Sequence, residues 1–408
     1  MSVTDDAART TGGPSLPHVS MGPAAAGIML GCLGVLMLGL QPLLLGALLD
    51  EHRISVAQLT QAATMEQLLI GLVSGALGGL APRRRLRLIG ILACAVFAGA
   101  NAACLWARGS EVVLDRALCG LGGGALLWIA GAIVAFSHAP ARLAGVFVGS
   151  QSASQFGLAA LLPVTLMAKF GSNGGFAAIA VLGVACIGLC AFLPSSIPDI
   201  VQENSQRGRV NVAALAGLAA SFLFMAAIVG FFVFLEPLAA VNDVPTLVAQ
   251  YAVAENLAAQ IIGAILCVVF AARLAAMVTR VLSLAAMAFL LAIAIVWTQT
   301  GSVPFFLAVF IHGLVWTTGL TLFTPLLIRV DPTRRGAMLL LGTLLLGGSA
   351  GPLITGWYAT ESHLAPVLVT AAVLGIGWLL AVQFAAVLSR RAYGRDAITV
   401  APSSIAPK

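Results

Sequence analysis

Long apolar stretches separated by short polar segments dominate the chain. A transmembrane α-helix needs about 20 apolar residues at a rise of about 1.5 Å each. On that scale we predict twelve transmembrane helices, at residues 24–49, 56–81, 86–106, 112–136, 143–170, 175–193, 212–239, 246–271, 277–298, 303–328, 336–358 and 364–388. The stretches are too long for strands and lack the alternation of a membrane barrel. We therefore expect an all-α membrane protein.

The longest internal polar segment divides the predicted helices into two groups of six. We expect a disordered N-terminal tail at 1–21, a six-helix bundle at 22–193, a central loop at 194–211, a second six-helix bundle at 212–388 and a C-terminal tail at 389–408. The N-terminal segment lacks the basic start and short apolar core of a cleaved signal peptide.

Composition supports lipid as the solvent for most of the chain. Hydrophobic residues make up 60% of it and charged residues only 9%, with a mean hydropathy of +1.04. Soluble domains carry roughly 25% charged residues. The seven cysteines lie inside apolar stretches without metal-ligand spacing, which is typical of packing residues. Because the sequence contains no phosphate-binding glycine loop, metal-ligand cluster or Ser/His/Asp arrangement, we expect no enzyme activity, cofactor or metal.

The basic residues predict the orientation of the chain. All but four of the 21 lysines and arginines fall on the side of the membrane that holds both tails; the exceptions are Arg53, Arg108, Arg116 and Lys169. Positive loops stay in the cytoplasm. We therefore predict a bacterial inner-membrane protein with both termini and the central loop in the cytoplasm, and we assign the net charge of +6 to topology rather than to nucleic-acid binding.

Three short matches indicate an internal repeat. Glu66 and Glu255 each follow a glutamine by five positions and precede an amide. Residues 40–42 (LQP) match 235–237 (LEP), and 140–142 (PAR) match 332–334 (PTR). The three offsets are similar, so the halves would be related by an axis along the membrane normal, as in one class of transporters.

Two local motifs add to this pattern. Residues 78–87 read GGLAPRRRLR, which is similar to the loop G-x-L-A-D-R-x-G-R-R of the major facilitator superfamily, although Pro82 replaces the acid and Arg85 the second glycine. Residues 116–122 read RALCGLG, similar to that family's R-x-x-x-G-x-G. Over 22–388 the chain resembles this family, which implies two pseudo-symmetric bundles around a central cavity and alternating access. In that family the acid replaced by Pro82 helps to latch one conformation.

Ionisable side chains in a bilayer cost several kcal/mol, which makes them candidate functional residues. Glu66 and Glu255 lie near the predicted midplane, so either could carry protons or contact a substrate. Arg116 could pair with a carboxylate or with an anionic substrate. The alternative is a fixed interhelical pair between Glu66 and Arg116.

Other polar side chains fall on the same helices. Gln41 and Glu236 lie toward the outer ends of helices 1 and 7. His312 could titrate near neutral pH, or could be a hydrogen-bonded packing residue. Gln151 and Gln155 share one helix face and would either line a cavity or bond between helices. The last candidates are Arg83, Arg84 and Arg334. We interpret them as solvated cytoplasmic charges, and the resemblance implies a second role as part of an inner gate.

Together these observations predict a monomeric secondary transporter that moves a small organic molecule or anion across the lipid bilayer by alternating access, driven by protons. The antiporter signature G-P-x-x-G is missing from helix 5, which tilts the prediction toward uptake. Proton-driven efflux of drugs or metabolites is the alternative direction. A membrane sensor or assembly protein that keeps a transporter fold without transport is the alternative class.

Overall fold

The computed structural model describes residues 21–80, 85–135, 140–194, 211–331, 335–360 and 363–399, and this part is almost entirely helical. It contains no strand apart from an isolated bridge between Thr360 and His363. The helices of the first half are α1 (Met21–Gly34), α2 (Leu36–Asp50), α3 (Val56–Leu80), α4 (Leu86–Ala103), α5 (Ser110–Ala135), α6 (Pro140–Leu161), α7 (Leu166–Phe170) and α8 (Ser172–Ile187), which a 3-10 turn continues to Phe192.

The second half repeats this pattern of long helices and short extensions. Its helices are α9 (Val212–Phe232), α10 (Leu235–Val241), α11 (Thr246–Val269), α12 (Ala271–Ala276), α13 (Val278–Thr298), α14 (Ser302–Val330), α15 (Arg335–Gly356) and α16 (Ala365–Thr399). The last helix therefore extends to Thr399, into the predicted tail that begins at residue 389.

Each predicted segment forms helix, but four of them are interrupted. The breaks lie at Val35, at 162–165, at 233–234 and at Phe270. Pro163 and Pro237 account for two of these breaks, because proline lacks an N–H and its ring clashes with the carbonyl four residues earlier.

Ten helical segments of the described chain have the length and hydropathy of transmembrane helices: Met21–Asp50, Leu86–Ala103, Ser110–Val134, Ser172–Phe192, Val212–Phe232, Thr246–Val269, Val278–Thr298, Ser302–Val330, Leu339–Gly356 and Ala365–Ser389. This confirms an all-α, multi-pass membrane protein. The two other long helices, α3 and α6, have 25 and 22 residues and carry more polar side chains. Twelve crossings therefore stay a prediction.

Hydrogen bonds between connections show which turns share an end of the bundle. The Gly109 N–H donates to the Arg53 carbonyl (2.9 Å), and the Gly301 N–H donates to the Asn242 carbonyl (2.8 Å). We call the end with these turns the far end. At the opposite end, the tail end, the Arg87 side chain donates to the Leu193 carbonyl (2.7 Å).

Arg53, one of the four basic residues outside the predicted cytoplasmic set, is a buried structural residue. Its guanidinium donates to the carbonyls of Cys104 and Ala107 and to the side chains of Ser172 and Asn173. It thus fastens the far ends of α4 and α8 to the turn after α2. A basic residue held in this way says nothing against the predicted orientation.

Equivalent helix pairs pack in both halves. The contacts α3–α5, α4–α5 and α4–α8 in the first half correspond to α11–α14, α13–α14 and α13–α16 in the second. The main contacts between the halves are α3–α15 and α6–α11. In the predicted repeat, α3 corresponds to α11 and α6 to α15, so each of these two contacts is the counterpart of the other.

Candidate functional site

The structure brings Glu66, Arg116 and Gln41 together inside the first half. Arg116 Nη1 lies 3.7 Å from Glu66 Oε1, and both side chains are 1% exposed or less. Gln41 Nε2 donates to Glu66 Oε2 at 3.3 Å. These contacts link α2, α3 and α5. The interpretation as a fixed interhelical pair therefore describes the arrangement seen here.

A run of small residues on α5 creates this close approach. A Cβ atom on Gly120 would overlap the carbonyl oxygen of Glu66, and a Cβ on Gly124 would lie 2.7 Å from the Ile70 carbonyl oxygen. A Cβ on Gly123 would likewise overlap the carbonyl oxygen of Gly34. Glycines let helix backbones approach closely in membranes, so this part of α5 brings Arg116 within reach of Glu66.

Asn101, which was not among the residues predicted from the sequence, completes the site. Arg116 Nη2 donates to Asn101 Oδ1 at 3.0 Å, and Asn101 Nδ2 donates to the Phe97 carbonyl at 2.8 Å. The guanidinium also lies 5.3 Å from the centre of the Phe176 ring. An asparagine inside an apolar helix was the available signal, since its amide must be hydrogen-bonded there.

The ion pair is imperfect. Glu66 Oε1, Arg116 Nε and Arg116 Nη1 have no hydrogen-bond partner among the described residues. Charges removed from water gain back their desolvation energy only when geometry and hydrogen bonding are good. Because Arg116 is already paired and enclosed, this arrangement does not favour its binding an anionic substrate.

The second half holds a neutral network at the corresponding place. Asn256 Nδ2 donates to the Val309 carbonyl (3.0 Å) and lies 2.8 Å from His312 Nδ1; Gln260 donates to Asn256 Oδ1 (2.9 Å). With Asn256 as the donor, the ring proton of His312 is on Nε2, which lies 3.2 Å from the Ile228 carbonyl.

Aromatic rings enclose this histidine. Phe231, Phe232, Phe289 and Trp316 all have ring centroids within 6.0 Å of the His312 ring. Both ring nitrogens have partners and the residue is fully buried. His312 is therefore a hydrogen-bonded packing residue in this arrangement, and not one that faces an open cavity.

The packing corrects the residue pairing of the repeat. A Cβ on Gly313 would overlap the Asn256 carbonyl oxygen, just as one on Gly120 would overlap that of Glu66. Asn256 therefore occupies the place of Glu66, and Glu255 lies one residue away. One residue is about 100° around a helix, so the two glutamates do not occupy equivalent positions.

Glu255 lies at the edge between the buried and exposed faces of α11. Its neighbours Ala252 and Ala259 are fully buried, whereas Tyr251 and Ile262 are 37% and 43% exposed. Its Oε2 atom is buried without a hydrogen-bond partner among the described residues. Glu255 is therefore a partly buried carboxyl group with one oxygen that no described residue hydrogen-bonds.

The two glutamines of α6 have different surroundings. Gln155 is buried, and its Nε2 donates to the Val35 carbonyl (2.8 Å) at the break between α1 and α2. Gln151 is half-buried. Of the two readings, bonding between helices describes Gln155. Residues Arg83, Arg84 and Arg334, predicted to form a gate, lie outside the described part of the chain.

Glu236 lies apart from the other candidates, at the far end. It lines a cavity of about 550 Å³ with Asp50 and His52 from the first half. Its side chain is only 3% exposed, because it packs against Gly46 of α2. Asp50 and Gln250 are its polar neighbours. Neither oxygen of Glu236 has a partner in hydrogen-bonding geometry among the described residues.

The boundary between the halves contains no polar bonds in the described chain. No hydrogen bond or ion pair joins residues 21–194 to residues 211–399 in the parts described. Along the α3–α15 contact, the side chains of Thr60 and Gln67 lie directly against Gly356 and Gly348. The described hydrogen bonds and ion pairs therefore lie within one half or within the other.

Comparison with models of protein families finds no match to this chain, and comparison with curated proteins finds none either.

Proposed function

We propose that the protein is a secondary active transporter of the major facilitator type, with twelve membrane crossings in two six-helix bundles. It moves a small organic solute by alternating access, is driven by protons and has both termini in the cytoplasm. Uptake is the direction we favour.

The observation that carries this proposal is that, among the described residues, each half is hydrogen-bonded internally and no hydrogen bond or ion pair crosses the boundary between them. Glu66, Arg116 and Asn101 link helices within the first half, and Asn256 and His312 do so within the second. Rocking one half against the other breaks none of these bonds. The cost of the motion is then limited to exchanging packing contacts, as expected for rigid-body domain movement.

The arrangement of helices supports a repeat with a two-fold relation. Because α3 corresponds to α11 and α15 to α6, exchanging the two halves turns the α3–α15 contact into the α6–α11 contact. A rocking motion about such an axis opens one pair of contacts at one end of the bundle while closing the other end.

Two carboxyl groups without partners are the best candidates for proton coupling. Glu236 and Glu255 both have buried oxygens without hydrogen-bond partners in the described chain, whereas Glu66 is held by Arg116. A buried carboxyl group without a counter-ion is stable when protonated and costly when ionised. Exposure to one side and then the other lets such a group take up and release a proton.

Solute-dependent proton movement in vesicles tests the proposal. Purified protein is reconstituted with a pH-sensitive dye inside, and a panel of organic solutes is added outside. We expect at least one solute to move protons. Glu255→Gln should reduce this movement at least about tenfold, because glutamine cannot carry a proton, whereas Glu111→Gln, an exposed position, should not. Absence of flux with every solute would contradict transport and favour a sensor or assembly role.

A further inference from the structure

Two cavities that share the lining residues Asp50 and Thr246 lie at the far end, between the halves, and we call them together the vestibule. The cavity of about 550 Å³ contains Leu49 and Asp50 from the first half and Glu236 and Ala249 from the second. A second cavity of about 410 Å³ shares Asp50 and adds Glu51 and Gln250. Because both halves contribute residues, the site exists only where they meet.

The lining is acidic. The two cavities include Asp50, Glu51 and Glu236 but no lysine or arginine among their described lining residues. Glu51 is already engaged, since it accepts hydrogen bonds from the N–H and hydroxyl groups of Ser172, both at 2.6 Å. The guanidinium of Arg53 lies 3.8 Å from Glu51 and also donates to the Ser172 hydroxyl, so the charge of Glu51 is compensated. Asp50 is therefore the exposed carboxylate of the lining, and Glu236 is a buried carboxyl group in the wall beside it.

Glu236 is the second, independent sign of a ligand. A carboxyl group that is 3% exposed and has two oxygens without hydrogen-bond partners in the described chain leaves strong acceptors unused. Buried polar groups normally have partners, and an exception needs an explanation. A cationic group in the cavity would supply the missing partner.

Most of the remaining lining is apolar. Around the carboxylates of the larger cavity lie Leu49, Val56, Pro237, Val241, Val244 and Leu364. The other polar residues of the two cavities are His52, Ser172, Thr246 and Gln250. The described residues contain no group of three or more side chains suited to holding a metal ion. An occupant therefore needs a positive charge together with hydrocarbon surface, as in a protonated or quaternary amine.

We propose that the vestibule binds an organic cation, with Glu236 and Asp50 as its counter-ions. That this cation is also the transported substrate rests on the function proposed above. The binding itself requires two carboxylates, an apolar wall and no membrane gradient.

Equilibrium binding to the detergent-purified full chain tests this inference. The probes are three cations of increasing size (tetramethylammonium, benzyltrimethylammonium and benzyltributylammonium) and one anion, benzenesulfonate. We expect at least one cation to bind and the anion not to bind. Glu236→Gln should weaken cation binding at least about tenfold, because a desolvated charge partner is lost, and Asp50→Asn should weaken it as well.

Asp243→Asn is the matched control. Asp243 is an exposed acid at the same end that lines neither cavity, so binding should be unchanged. The inference is overturned if no cation binds, if the anion binds equally well, or if binding is unaffected in correctly folded Glu236→Gln and Asp50→Asn proteins. Cation binding without flux in vesicles would contradict transport but support the site. Flux without cation binding would support transport but contradict the site.

Discussion

Replacing Arg116 by methionine should destabilise the folded protein by about 3–5 kcal/mol. Glu66 would then be left ionised or newly protonated in a closed, apolar position, with the Gln41 amide as a hydrogen-bond donor but without a counter-ion. Asn101 would also lose the donor to its Oδ1 atom. The free energy of unfolding in detergent micelles, obtained by denaturant titration, measures the effect.

A double variant separates the ion pair from simple packing. Because the Glu66–Arg116 geometry is imperfect, Glu66→Gln combined with Arg116→Met should recover most of the lost stability. Arg108→Met, at an exposed arginine of the same half, should change stability little. If Arg116→Met is as stable as the native protein, the pair does not hold α3 and α5 together.

Alanine at Gly120 or at Gly313 should each destabilise the protein by about 3 kcal/mol. At both positions the added Cβ would overlap a backbone carbonyl oxygen, of Glu66 in one half and of Asn256 in the other. Backbone cannot move aside as a side chain can, so the paired helices must separate. Measurement of unfolding free energy for both variants also compares the two halves.

Gly131→Ala supplies the control within α5. No atom of the other described elements lies within 4 Å of a Cβ built there, and alanine is the better helix former. Stability should therefore be unchanged or slightly increased. Strong destabilisation by Gly120→Ala but none by Gly313→Ala would contradict the equivalence of Glu66 and Asn256.

The helices could be predicted from the sequence because length and hydropathy alone decide which segments suit a bilayer. Their interruptions at 162–165 and 233–234 also follow from Pro163 and Pro237. The surroundings of Glu236 could not be predicted. Its helix position suggests a place near the outer interface, but Gly46 of the other half covers it, and such coverage depends on how distant helices pack.

The repeat shows the same limit at the scale of one residue. Matching sequence letters pairs Glu66 with Glu255, whereas the packing around Gly120 and Gly313 pairs Glu66 with Asn256. A shift of one residue turns a helix side chain by about 100°, which decides between a buried network and an edge position. Asn101 and Asn256 could have been found in the sequence as amides in apolar helices, but their partners could not.

The most direct test of alternating access measures two distances between the halves. Spin labels are placed on exposed positions, Lys169 with Asp243 at the far end and Arg85 with Arg329 at the tail end. The pair Arg108–Lys169, within the first half, is the control. Under conditions that support flux, we predict that one distance between the halves lengthens while the other shortens and the control stays fixed. If protein that carries flux keeps both distances between the halves constant, the two halves do not rock against each other.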